Sequence, residues 1–133
     1  MADGEDKLLE RCRALLDGGE RIILETEATC KLGLLSEFGA GRAYLTDRRI
    51  IWIRRKTPLI RPLLFWIPDV VTLKRSLIEE LQMTRHLTRA WLTMRAQGKR
   101  YIFRLGQGPY PTLRQNPETT EEWNNELNRK QAS

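Results

Sequence analysis

The alternation of hydrophobic and polar residues predicts β-strands between two helices. Apolar side chains recur at helical spacing from Leu8 to Leu16, and Gly18 and Gly19 then stop the pattern, so an amphipathic helix is expected at 5–17. From residue 21 the period changes to two, which is typical of a half-buried strand. Seven segments of this kind follow at a spacing of about ten residues. They are 21–28, 41–46, 49–55, 65–68, 76–84, 89–96 and 99–106.

Turn and cap residues divide these segments. Asp47-Arg48 and Gln97-Gly98 predict tight turns, whereas 54–64 holds two prolines and is expected to be neither a helix nor a regular strand. At the C-terminal end, Asn116 and Pro117 suit the start of a helix that carries Trp123 and Leu127 on one face. The pattern therefore predicts a mainly β fold, a small sandwich or barrel followed by a helix.

Length and composition limit the class of protein. The 133 residues fit one domain, which we expect at 20–133 behind an N-terminal helical extension at 1–19. The longest apolar run, 62–68, is far shorter than the roughly 20 residues of a spanning helix. The acidic N-terminal sequence does not resemble a secretory signal, and two cysteines are too few for a disulfide framework. These features predict a cytoplasmic protein.

The charge is distributed unevenly along the chain. The net charge is +6, but residues 1–37 hold nine acids against five bases and residues 115–133 hold four against two. The central residues 38–114 hold four acids against sixteen bases. A basic middle predicts an anionic partner, either lipid headgroups or nucleic acid. The alternative is internal, with the acidic terminal helices neutralising part of the basic body.

Three local sequences resemble the GRAM and bacterial types of pleckstrin-homology (PH)-like domain. GRAYLTDRRIIWI (41–53) is similar to a hairpin of these families, WIPDVVTLK (66–74) to the segment that follows it, and GKRYIFRL (98–105) to their last strand. The likeness covers about residues 20–130. It implies a bent seven-stranded antiparallel sandwich, or half-barrel, with a C-terminal capping helix. The N-terminal helix is an addition to that plan.

The resemblance also implies a binding site, because the loops after strands one, three and six of PH-like domains surround one open end. Many PH domains bind phosphoinositides through a lysine in strand one and two bases in strand two. Lys31 and Arg42 match the first two of these positions, but Tyr44 replaces the last base, which argues against tight inositol-phosphate binding. The expected anion-binding residues are Lys31, Arg42, Arg54, Arg55, Lys56, Arg61, Lys99 and Arg100.

Membrane attachment is the function that this reasoning favours. The bases of 54–61 would attract anionic headgroups, at the inner membrane face of the cell. Four apolar residues of the same loop are candidates for insertion into the lipid, namely Leu59, Ile60, Leu63 and Leu64. The alternative is a protein-interaction or self-associating domain that uses the N-terminal helix, a sheet edge or an apolar patch at Leu34, Leu35 and Phe38. A third interpretation, that the basic surface contacts only solvent, also stays open.

Nucleic acid and catalysis are less favoured. A single-strand binder interleaves bases with exposed aromatics, but Trp52, Phe65, Tyr101 and Phe103 fall at strand positions that suit a core. The single histidine, His86, is expected in a solvated turn without a neighbouring carboxylate or cysteine. No motif for a nucleophile, metal or cofactor is present. We therefore expect a non-enzymatic protein without a cofactor or metal. For the LTDRR turn we expect a structural role, in which Asp47 accepts backbone N–H groups of the turn and Arg48 or Arg49 pairs with it.

Overall fold

The computed structural model describes residues 2–32, 39–55, 70–87, 89–107, 114–115 and 117–132. Helices α1 (Ala2–Leu15) and α2 (Pro117–Ala132) lie at the two ends of the chain. The strands between them are β1 (Ile22–Leu32), β2 (Gly39–Thr46), β3 (Arg49–Arg54), β4 (Val70–Lys74), β5 (Ile78–His86), β6 (Arg89–Ala96), β7 (Lys99–Gln107) and β8 (Arg114–Gln115). A single 3₁₀ turn, Arg75–Leu77, joins β4 to β5.

Seven strands form one continuous antiparallel sheet in the order β4-β3-β2-β1-β7-β6-β5, and β8 pairs with β7. Trp52 of β3 and Met94 of β6 lie four strands apart, yet both belong to one buried cluster. A flat sheet would separate them by about 19 Å, so the sheet must curve around its core. Trp123 and Leu127 of α2 complete this cluster. The sequence prediction of a bent, mainly β fold with a C-terminal helix is confirmed.

Helix α1 packs against the outer, convex face of the sheet. Leu8 and Cys12 form a second apolar cluster with Tyr44, Ile51 and Ile53, which point away from the main core. All five side chains are buried. The apolar face of α1 is therefore used within this chain, and α1 covers the β2–β3 part of the outer face.

Trp52 crosses the neighbouring strand to reach β1. Its indole Nε1 donates a hydrogen bond to the carbonyl oxygen of Ala28 at 3.1 Å, and the ring passes over Gly41 of β2. A Cβ atom on Gly41 would clash with the backbone carbonyl oxygen of Ile53 and would lie 2.8 Å from two atoms of that ring. Glycine at this position is therefore required by close packing rather than by backbone conformation.

The strand predictions differ from the structure in two places. The strand expected at 65–68 lies outside the described residues and stays a prediction, whereas β4 (Val70–Lys74) is not among the predicted strands. The strand expected to begin at residue 76 begins at Ile78, because the 3₁₀ turn occupies Arg75–Leu77. In the sequence, FWIP is more hydrophobic than VVTLK and therefore gives the stronger strand signal. VVTLK has the alternation typical of a strand, with Val71 and Leu73 buried.

Candidate functional site

The antiparallel pairing brings several of the predicted bases to one end of the sheet. β1 and β3 end there and β7 begins there, because Lys31 pairs with Ile102 and Arg54 with Gly41. The two-residue turn at Gln97 and Gly98 joins β6 to β7 at this end. We call this the basic end, defined by Lys31, Arg54, Arg55, Lys99 and Arg100. Lys99 and Arg100 are exposed, whereas Lys31, Arg54 and Arg55 are half-buried.

Two of the predicted anion-binding arginines are held by carboxylates of this chain. The Arg42 guanidinium lies 2.8 Å from Glu25 and 4.0 Å from Glu27, and Arg55 forms an ion pair with Glu27. Burial alone would lower the pKa of Arg42. The hydrogen bond that Arg42 donates to Glu25, together with the negative charges of Glu25 and Glu27, outweighs burial, so the pKa is raised. Part of the positive charge expected from these two residues is thus neutralised internally.

The remaining predicted site residues fall in the connection between β3 and β4. Lys56 and Arg61, together with the four candidates for membrane insertion, lie outside the described residues. The same is true of the apolar patch expected at residues 34–38. These assignments stay predictions.

A polar network at the opposite end of the sheet has a structural role. Arg49 donates two hydrogen bonds to the buried carboxylate of Glu20, at 2.9 and 3.0 Å, and the Thr46 hydroxyl donates another at 2.6 Å. Burial would raise the pKa of Glu20, but these bonds and one from the Asp17 backbone N–H lower it to about 2. Arg49 also donates to the Leu15 carbonyl oxygen, so the network holds the end of α1.

The LTDRR turn is held differently from the expectation. Asp47 accepts a hydrogen bond at 3.1 Å from the backbone N–H of Arg21, the residue before β1, rather than from the turn itself. Instead, Thr46 Oγ1 accepts hydrogen bonds from the backbone N–H groups of Arg48 and Arg49. Arg49 pairs with Glu20, not with Asp47. A structural role for the turn is thus supported by these contacts, with Thr46 as its organising side chain.

Chemistry beyond charge is sparse in the described part of the chain. Within it, no group of three histidine, cysteine or acidic side chains is arranged to hold a metal ion, and neither helix is long and apolar enough to cross a membrane. His86 is exposed at the end of β5, opposite Arg89. Burial raises the pKa of the Cys12 thiol to about 11 and that of Cys30 to about 12, which disfavours the reactive thiolate.

Sequence reasoning predicted Arg100 but missed Arg89, Arg95 and Arg104, the other bases on the outer face of β6 and β7. The alternation of RAWLTMRA and KRYIFRLG separates the buried residues from those on the opposite face. This alternation shows which residues of one strand lie on the same face, but not which strands are neighbours. Only the pairing register shows that the outer faces of β6, β7 and β1 adjoin, which brings Arg95 opposite Arg100.

The fold agrees with what structural comparison finds. The chain is similar to the Vps36 N-terminal PH domain, with a TM-score of 0.59, 14% identity, and coverage of 90% of this chain and 87% of that one. It is also similar to the C-terminal domain of an unknown protein from Leishmania infantum, with a TM-score of 0.58, 9% identity, and coverage of 96% and 97%. No family model and no curated protein matches. The chain has a PH-like fold.

Proposed function

We propose that this chain is a non-enzymatic binding module, of the GRAM or bacterial PH-like type, that attaches to anionic membrane surfaces from the cytoplasmic side. The observation that carries the proposal is the convergence of strand ends with Lys31, Arg54, Lys99 and Arg100 at the basic end. Each base near a charged bilayer surface contributes about 1 kcal/mol of attraction, so a few together give measurable binding. The ion pairs of Arg42 and Arg55 favour charge-driven attachment over a specific headgroup pocket.

Vesicle binding tests this proposal. The full chain is mixed with vesicles of phosphatidylcholine alone or with added phosphatidylserine, and the bound fraction is measured by co-sedimentation. We expect binding only to the anionic vesicles and its loss at about 1 M salt, where the Debye length is about 3 Å. Equal binding to both vesicle types, or binding that ignores salt, would contradict an electrostatic attachment.

A second candidate function is association with another protein chain through β5. This nine-residue strand lies at the end of the strand order and pairs with β6 alone among the described residues. A strand in that position presents backbone groups that can pair with a strand of a partner or of a second copy. Light scattering tests self-association, and a monomer at all concentrations would remove the second copy as partner.

A further inference from the structure

The outer face of the sheet differs between its two halves. On β6, the residues Ala90, Leu92 and Met94 are buried in the core, so Arg89, Trp91 and Arg95 point outward. The same alternation on β7 and β1 turns further bases to that side. We call this area the basic sheet face, and it consists of Lys31, Arg89, Trp91, Arg95, Arg100 and Arg104.

Helix α1 covers the other half of the outer face. Its buried apolar side chains pack against residues of β2 and β3 rather than against the basic sheet face. The side chains beneath α1 are Tyr44, Ile51 and Ile53, all buried. On the basic sheet face, by contrast, Arg89, Arg95 and Arg100 are exposed. The two halves of one sheet surface thus have opposite chemistry, apolar under the helix and cationic beyond it.

Two arginines of the basic sheet face oppose each other directly. Arg95 of β6 pairs in register with Arg100 of β7, and both side chains point to the same side. Like charges in directly opposed positions destabilise a sheet. Glu80 lies 3.5 Å from Arg95 and offsets part of this repulsion. The repulsion and the attraction are both weakened by solvent, since all three side chains are exposed. A bound anion between the two arginines would remove the repulsion.

An aromatic side chain lies within the cationic area. The Arg104 guanidinium stacks over the Trp91 ring at 5.8 Å from its centroid, and Trp91 is half-buried. Tryptophan and arginine together are typical of protein surfaces at the level of lipid headgroups. From Arg89 to Arg95 the cationic stretch of β6 is about 20 Å long, which suits a surface rather than a single small anion.

We propose that the basic sheet face lies against the anionic membrane, with lipid phosphates near Arg95 and Arg100 and with Trp91 at headgroup depth. This inference rests on the membrane attachment proposed above. It extends the contact from the basic end along the outer side of β6 and β7. The loop between β3 and β4 then contributes to binding less than the strands do.

Matched double substitutions in the full chain separate these surfaces. The face variant is Arg89→Gln with Arg95→Gln, and the loop variant is Lys56→Gln with Arg61→Gln. The control variant, Arg11→Gln with Arg48→Gln, removes the same charge at exposed positions of α1 and the β2–β3 turn. Circular dichroism and thermal unfolding check that each variant is folded, and partitioning onto phosphatidylserine-containing vesicles is then measured.

We expect the face variant to bind about 30-fold more weakly, since two bases contribute about 1 kcal/mol each. The control variant should keep most of the vesicle binding, and the loop variant should lose less vesicle binding than the face variant does. Brominated lipid should quench tryptophan fluorescence in the wild type, and Trp91→Phe should remove most of that quenching.

Other outcomes overturn the inference in distinguishable ways. Equal losses in the face and control variants would mean that only net charge matters. A loss confined to the loop variant would reject the sheet face but keep the proposed function. Absence of wild-type binding to anionic vesicles would reject both. Face-dependent binding of a single-stranded oligonucleotide in place of vesicles would reject a membrane as the partner.

Discussion

At the scale of single residues, the best-defined constraint is the contact between Gly41 and Trp52. The indole of Trp52 covers Gly41 so that its N–H can reach the Ala28 carbonyl oxygen on the strand beyond. The buried ring therefore joins three strands, β3, β2 and β1. Any side chain at residue 41 must displace this ring and the backbone carbonyl oxygen of Ile53.

We expect Gly41→Ala to lower the free energy of unfolding by about 1–3 kcal/mol, because the added methyl group overpacks the core. Chemical denaturation followed by tryptophan fluorescence measures this change. Gly18→Ala is the matched control, since a Cβ there meets no atom within 4 Å, and its effect should be small. Similar stabilities for the two variants would contradict the proposed packing role.

At the scale of elements, α1 packs against the sheet through few of its described side chains. Its buried anchors are Leu8 and Cys12, with Leu9 and Leu16 partly buried beside them. A 14-residue helix is marginal without such contacts. We therefore expect α1 to open locally at a lower free energy than the strands of the main core.

Thiol labelling measures this difference within one protein, because Cys12 lies under α1 and Cys30 lies in the main core. Under native conditions Cys12 should react faster than Cys30, as mass spectrometry of labelled peptides will show. Leu8→Ala should accelerate the labelling of Cys12 about 30-fold, which corresponds to about 2 kcal/mol of lost packing, at the low end for a buried leucine. Leu15→Ala, on the exposed side of the same helix, is the control. Equal labelling rates for both cysteines would show that α1 opens only with the whole domain.

The elements also show how far the sequence alone could lead. The spacing of apolar residues, every two in strands and about every 3.6 in helices, predicts both helices and most strands. Burial of one face of each element imposes this spacing. The sequence predictions missed β4, in which Val71 and Leu73 alternate with polar residues close to the more apolar run 65–68. For the site, the sequence identified the bases but not Glu25 and Glu27 as partners of Arg42 and Arg55. Such pairs depend on which strands lie side by side.

At the scale of the whole molecule, one polar network connects distant parts of the chain. Glu20, Thr46 and Arg49 hold the end of α1 to the β2–β3 turn. Arg75 donates hydrogen bonds to the carbonyl oxygens of Thr46 and Glu126, at 2.9 and 2.6 Å, and so joins the same turn to α2. Loss of charge on Glu20 should therefore affect global stability.

The folded protein holds the pKa of Glu20 at about 2, compared with an ordinary value of 4.5. Because the folded-state pKa is lowered, the stabilisation is complete above pH 4.5 and is lost as the pH falls towards 2. The contribution is up to about 3 kcal/mol, at about 1.4 kcal/mol per pKa unit.

Denaturation curves of the wild type and Glu20→Gln, measured from pH 6 to about pH 2, test this prediction. Glu20→Gln should be less stable at pH 6, and the difference from wild type should shrink as the pH falls through this range. A difference that stays constant with pH would rule out the ionised Glu20 carboxylate as its source.

The sequence by itself determined the mainly β class, the terminal helices and an excess of bases in the central residues. These follow from local periodicity and composition, which need no knowledge of neighbours. Only the tertiary structure decided that α1 covers the β2–β3 side of the sheet, that Arg42 and Arg55 are paired with Glu25 and Glu27, and that Arg95 opposes Arg100. The physical reason is strand register, because charges far apart in the chain attract or repel only after pairing places them on one face.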